Sequence, residues 1–179
     1  MSIFGALTRS LAVNFTRDLL HEARSAGLPV APQSIDHLCF RVATSDEYKL
    51  ACDLISSESS SDLPGILLVE SMVNGRPISA FKLKEPLIVD DQVISVIEIP
   101  APKPGRPYVT GFEHFEVVLA ISFSEFLAGI PESLRETLAA DGGDAKELVW
   151  DSEAGVVKFH HQSLERIIET ELRAGSGRA

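Results

Sequence analysis

Cysteine is scarce in this 179-residue chain, and its two copies, Cys39 and Cys52, are too few and too irregularly placed for a disulfide framework or a Cys-rich zinc site. Cationic residues are also short: 16 Lys and Arg stand against 26 Asp and Glu, for a net charge of −10. Phosphate binding needs clustered Lys and Arg, so nucleic acid is excluded as the main partner and anionic membranes are disfavoured likewise. No apolar run approaches the roughly 20 residues that cross a bilayer. The start, Met1 to Ser10, has no charged-then-apolar signal pattern, so a cytoplasmic protein is expected. A glycine-rich phosphate loop, a Ser-His-Asp spacing and a Cys-x-x-Cys pair are all missing. Nucleotide, acyl-serine and thiol-redox chemistry therefore lack support.

What is present is an ordinary globular composition, 45% hydrophobic and 23% charged, in a chain long enough for a real core. One domain or two fused modules is expected. The most informative feature is a pair of octets, IDHLCFRV at 35–42 and FEHFEVVL at 112–119. Each reads apolar, acid, His, then an apolar-rich run. Side chains in a strand alternate faces, so the first octet puts His37, Cys39 and Arg41 on one side and Leu38, Phe40 and Val42 on the other. The second groups His114, Glu116 and Val118. Two copies of one module facing each other would bring both imidazoles into one cavity, which is how a metal site arises from duplication.

The rest of the chain divides around these octets. Leu7, Leu11, Phe15, Leu19 and Ala23 recur every four residues, predicting a helix from Ile3 to Ala26 that Gly27 and Pro29 stop, within an N-terminal segment 1–33. A first module, 34–100, reads as strand Ser34–Val42, a helix from Ser45 to about Ser57, and strands Gly65–Met72, Ile78–Leu83 and Val93–Ile99. Asn74-Gly75 is the strongest hairpin signal, and Asp90-Asp91 turns the chain again. A proline-rich crossing, 101–109, leads into a second module at 110–172. This holds the His114 strand, a helix carrying Phe126, Leu127, Ile130, Leu134 and Leu138, and strands Lys146–Trp150 and Gly155–His161, with Asp141 to Asp144 closing the helical region. A last helix, Leu164–Leu172, is followed by a tail, 173–179, expected to be disordered.

The histidine-bearing first strand, the strand ending VIEIP at 96–100 and the second histidine strand resemble the vicinal oxygen chelate superfamily, which includes glyoxalase I and the extradiol dioxygenases. More closely, the runs IDHLCFRV, NGRPI, IEIPAPK, GFEHFEVVL and KFHHQSLE look like the YecM-type family of that superfamily, over roughly Ile35 to Glu171. The resemblance implies an α+β fold: two βαβββ modules forming a curved, barrel-like mixed sheet around a cavity, with additional N-terminal and C-terminal helices. It also implies a divalent metal held by inward side chains. The matching positions are His37, Glu98 and His114. The fourth departs from the pattern, because the final strand has no carboxylate, and His160 or His161 stands where one would be.

Two or three imidazoles with a carboxylate suit Zn²⁺, Fe²⁺, Mn²⁺ or Ni²⁺. Glu116 shares a strand face with His114 and is placed as a partner of the ligands or as a general base, or as a ligand itself if Glu98 faces away. For Glu98 a solvent-facing charge is the alternative; Cys39 reads as a small core residue, with a ligand or nucleophile role as its alternative. Arg41, on the His37 face, needs an anionic partner, either Glu116 or a substrate carboxylate. Arg76, in the turn, is expected to be exposed and to gate the cavity mouth, and Lys82 lies on the polar side of its strand; each is a candidate for an anionic substrate group or a solvated charge. Phe81, Phe112, Phe115 and Phe159 read as core, and His21 as surface.

The leading expectation is a metal-dependent enzyme, either an isomerase or lyase or an oxygenase, acting on a small molecule with adjacent oxygens. A non-catalytic module that binds or sequesters a small molecule in the same cavity is the alternative. A structural partner role for the amphipathic first helix is a third. The chain is expected to be a monomer or homodimer.

Overall fold

Alternation along the two octets gives the central strands one apolar and one polar face, and the architecture follows from that division. The computed structural model describes residues 2–140 and 147–176. The elements are α1 (Ile3–Ala6), α2 (Arg9–Ala26), β1 (Ile35–Arg41), α3 (Ser45–Ser56), β2 (Gly65–Val73), β3 (Arg76–Val89) and β4 (Gln92–Pro100). They continue with β5 (Gly111–Val118), α4 (Phe123–Ala128), α5 (Glu132–Arg135), β6 (Ala139–Ala140), β7 (Leu148–Asp151), β8 (Val156–His160) and α6 (Leu164–Ser176).

The strands form one mixed, curved sheet in the order β2-β3-β4-β1-β5-β8-β7-β6. The outermost strand, β6, has two residues, leaving seven strands of ordinary length in a sheet that does not close. At its centre β1 and β5 run antiparallel, while β1 is parallel to β4 and β5 is parallel to β8. The octets therefore lie side by side in the middle of the sheet.

The apolar faces build the core. Phe40, Phe81, Phe115, Phe126 and Phe159 are fully buried, together with Leu38, Ile97, Val157 and the inner residues of α2 and α3. At about 1.5–3 kcal/mol for each large side chain removed from water, this layer dominates the stability of the sheet. α2 and α3 pack on this face; the opposite face carries the ionisable residues and meets α6 near Asp36 and Lys82.

Local chemistry explains where elements differ from expectation. The first helix is two helices: Thr8 interrupts the stripe and its hydroxyl accepts from Leu11 N–H as the cap of α2. Gly27 ends α2 in the left-handed conformation at φ 98°. Thr44, one residue before the expected cap, starts α3 by accepting from Glu47 N–H. Asn74 and Gly75, both with positive φ, make the expected β2–β3 hairpin. β3 then runs past Leu83 to Val89, absorbing Pro86 at an irregularity between Lys82 and Leu87. The expected long helix of the second half is broken by Gly129 and Pro131 into α4 and α5. α6 continues to Ser176, through the first part of the expected tail. Residues 177–179 and Asp141 to Asp144 lie outside the described residues.

Candidate metal centre

The β1–β5 register contains two irregularities, and each falls on an acid. Ile35 pairs with Val117 but His37 with Glu116, leaving Asp36 as an extra residue on β1. Cys39 pairs with His114 but Phe40 with Phe112, leaving Glu113 as an extra residue on β5. A bulge re-aims side chains, and here it lets the acid reach the ring of the histidine that follows it. His37 Nδ1 donates to Asp36 Oδ2 at 2.9 Å, and His114 Nδ1 donates to Glu113 Oε2 at 3.0 Å. Both histidines are 2% exposed, and with Nδ1 bonded outward, each Nε2 points into the polar face.

Four of those inward groups converge. Single ligand atoms of His37, Glu98, His114 and Glu116 all lie within 4.8 Å of one another. His37 Nε2 is 3.6 Å from Glu98 Oε2 and 3.7 Å from Glu116 Oε1, and His114 Nε2 is 3.3 Å from Glu116 Oε1. His160 Nε2 approaches Glu116 Oε2 at 3.3 Å from the other side. The Nε2 atoms of His37, His114 and His160 are buried and none has a hydrogen-bond partner. Buried polar atoms are rarely left unpaired. Three orphaned imidazole nitrogens facing two carboxylates fit a divalent cation, whose ligands must be neutral imidazole and ionised carboxylate.

The charge balance points the same way. Around the histidines, Asp36, Glu98, Glu113, Glu116 and Glu147 supply five carboxylates against two permanent cations, Arg41 and Lys158. Burial lowers His37, yet Asp36, Glu98 and Glu116 outweigh it and hold the imidazole up to about 10. Burial lowers His114 too, but Cys39, Glu113 and Glu116 carry it well above its ordinary value. Glu98 is raised by burial and pulled below the carboxylate range by His37. Glu116 likewise ends far below its usual value through His114, His37 and Lys158. Glu113 is held down to about 2, burial being outweighed by His114 and Arg41. Glu98, Glu113 and Glu116 are thus favoured in their ionised forms and His37 and His114 in their protonated forms, so a cation held by these two imidazoles would displace protons.

The sequence-derived candidates fall as follows. His37, Glu98 and His114 come together, and Glu98 faces the cluster. Glu116, expected beside the ligands or as a base, completes the four-residue group. His160 sits just outside it against Glu116, its ring centroid 6.3 Å from that of His37. His161 faces away, against the Phe123 ring and the Leu119 carbonyl. Arg41 pairs through Nε with Glu113 and not with Glu116, because the bulge turns Glu113 toward it. Lys82 is taken by Glu165 of α6 at 2.6 Å. Arg76 is not exposed: at 8% it is buried at the start of β3, and its Nη1 donates to the Ala101 carbonyl at 2.5 Å. A turn residue reads as exposed in sequence, but the Pro100–Ala101 strand end covers this one. Asp36 and Glu113 were missed as site residues. Their signal was an acid immediately before the histidine in both octets.

A cleft of about 650 Å³ opens at the amino-terminal end of β1, between Pro29, Ser34, Val118, Phe126 and Glu165. Its lining includes Asp36 but none of His37, His114 and His160. Among the described residues no helix is long and apolar enough to cross a membrane.

Comparison with known proteins agrees over most of the chain. Protein YecM of Escherichia coli (strain K12) is 31% identical, the match covering 85% of this chain and 86% of that protein. An uncharacterized protein of Haemophilus influenzae is 32% identical over 64% of this chain and 56% of its own length. A solved structure described as "Structural Genomics, Protein EC4020" superposes with a TM-score of 0.71 at 29% identity, covering 90% of this chain and 91% of that one. The family model described as YecM protein matches residues 6–171, and the chain belongs to the YecM family.

Proposed function

We propose that this protein is a divalent-metal-dependent enzyme of the vicinal oxygen chelate type, acting on a small molecule with adjacent oxygens. Its two halves, β1 to β4 and β5 to β8, are read as paired βαβββ modules that share the site at their junction. The observation that carries the reading is the convergence of buried, unpartnered Nε2 atoms on Glu98 and Glu116, with the rings fixed from behind by Asp36 and Glu113. Such fixing is characteristic of metal-ligating histidines.

His37, His114, Glu98 and Glu116 would hold the ion. Bound there, a divalent cation supplies Lewis acidity toward a carbonyl or hydroxyl oxygen and lowers the pKa of a neighbouring proton. The protein's own contribution is position and proton handling. Glu116 meets three nitrogens, from His114, His160 and Lys158, at 3.3 Å each, so its carboxylate is the group best placed to accept a substrate proton and pass it to His160. Lys158 holds Glu116 from the outer side.

The test is to load metal-free protein with Zn²⁺, Mn²⁺, Ni²⁺ or anaerobic Fe²⁺. Each form is then assayed for solvent deuterium exchange at carbon next to the oxygens of 2-oxo and 2-hydroxy acids, and for oxygen consumption. Metal-dependent turnover that disappears in Glu116→Gln supports the enzyme reading. Stoichiometric ligand binding without turnover in any form would overturn it in favour of a sequestering module.

A further inference from the structure

Arg76 is the unexplained charge of this face. It is 8% exposed, its Nε is buried without a hydrogen-bond partner, and its Nη1 reaches only the Ala101 carbonyl. Among the described residues no carboxylate stands within ion-pair distance of it. A buried guanidinium without a counter-ion is costly and rarely kept for stability alone.

Register fixes its position relative to the metal-binding group. Ala80 of β3 pairs with Glu98 of β4, and Cys39 of β1 pairs with the same Glu98. Arg76, four residues before Ala80, and Arg41, two residues after Cys39, therefore share the polar face with Glu98 and lie toward the same end of the sheet. Arg41 carries a second orphan: its Nη1 is buried and unpaired, although Nε holds Glu113 and the guanidinium sits 5.2 Å from the Tyr108 ring centroid. The segment after β4 covers both arginines, with Ala101 on one and Tyr108 on the other. This end of the face thus holds two arginines, Arg76 buried and Arg41 partly buried, each with a buried, unpaired N–H, beside the His–Glu cluster.

We propose that Arg76, assisted by Arg41, is an oxyanion-binding subsite that takes the far carboxylate or phosphate of the molecule held at the metal centre, which is therefore an anion with acidic character at both ends. The inference rests on the metal reading above. Four residues of extended strand, about 13 Å, separate Arg76 from Ala80 beside Glu98. An arginine side chain covers part of that span, and a ligand several bonds long covers the remainder. The planar fork of a guanidinium suits a two-oxygen anion better than an ammonium does.

The experiment is calorimetric titration of zinc-loaded protein with 2-oxoglutarate and with 2-oxopentanoate, which share the adjacent-oxygen end and differ in the far carboxylate. Zinc is chosen because it is redox-inert. The expected result is at least about tenfold tighter binding of 2-oxoglutarate. That preference collapses in Arg76→Gln and survives in part in Arg76→Lys, with zinc uptake unchanged in both. Equal affinities, a preference that persists in Arg76→Gln, or no binding of either acid would overturn the proposal. Displacement by inorganic phosphate more than by acetate assigns the subsite to a phosphate ligand; the reverse assigns it to a carboxylate. Should the wild type take up no zinc, the metal reading fails by itself, and the same Arg76-dependent preference on metal-free protein decides the subsite. Should Arg76→Gln fail to fold, Arg76→Lys carries the comparison.

Discussion

Asp36 accepts from His37 Nδ1 at 2.9 Å and, with the same Oδ2 atom, from Leu164 N–H at 2.8 Å, tying the first histidine to the start of α6. Glu113 does the corresponding work for His114, and its second partner is Arg41. Both acids come from bulges on the central strand pair, so orientation of the imidazoles is built into the sheet.

From this follows the first expectation. Asp36→Asn and Glu113→Gln keep the fold but remove the carboxylate that fixes each ring, and metal affinity falls roughly 10–100-fold in either. Calorimetric titration of Zn²⁺ into metal-free variants reads the change, with circular dichroism as the control for folding. Unchanged affinity would mean that the bulges serve the sheet alone.

Acidity governs both uptake and stability. Metal bound by His37 and His114 would displace their protons, so the apparent affinity should rise with pH by up to about two logarithmic units per pH unit, with proton release measurable in buffers of different ionisation enthalpy. In the metal-free protein His37 is raised from 6.5 to about 10. Its contribution to stability is therefore present below pH 6.5 and lost as pH climbs through 10. Glu113, lowered from 4.5 to about 2, contributes above 4.5 and loses that contribution as pH falls toward 2. Thermal melts across pH should show the alkaline loss flattened in His37→Gln and the acid loss flattened in Glu113→Gln.

Gly155 connects the fold to the site. Its φ of 146° is unsuited to other residues, and a Cβ there would lie 2.9 Å from both the Glu113 carbonyl oxygen and Phe15 Cε2. Gly155→Ala should cost about 1–3 kcal/mol in urea unfolding through strain. It should also weaken metal binding, because relief of the clash moves the Glu113 bulge. Destabilisation without any loss of metal affinity would show that the bulge absorbs the displacement.

α6 is held to the polar face by Lys82, Asp36 and the buried Ile168. The Lys82–Glu165 pair is more than a third exposed on both sides, so Lys82→Ala should change global stability by no more than about 1 kcal/mol. Amide exchange in Leu164 to Ile168 should nevertheless accelerate, since a local tether is lost. Equal exchange in both proteins would place the anchoring on Ile168 and Asp36 alone.

Much of this was legible in the residues. Alternation assigned the faces of β1 and β5 correctly, and Asn74-Gly75 marked its hairpin because few sequences tolerate two positive φ angles in succession. The convergence of Glu98 with His37 and His114 was implied by the family resemblance alone, since the residues of β4 by themselves left a solvent-facing Glu98 equally open. The bulges were not, since a one-residue register shift leaves no periodic trace, and without them Glu116 looked like the partner of Arg41. Burial of Arg76 depends on the Pro100–Ala101 backbone crossing it, a tertiary contact that local composition does not encode. The breaks at Thr8 and at Gly129 to Pro131 lie in capping and breaking residues that interrupt otherwise continuous apolar stripes.

The most direct test of the metal centre is elemental analysis of protein purified without an affinity tag or chelator, alongside His37→Ala and His114→Ala. About one equivalent of a transition metal in the wild type, lost in both variants, is the expected result. A folded wild type that carries no metal, and takes up none after exposure to Zn²⁺, Mn²⁺, Ni²⁺ and anaerobic Fe²⁺, would contradict it.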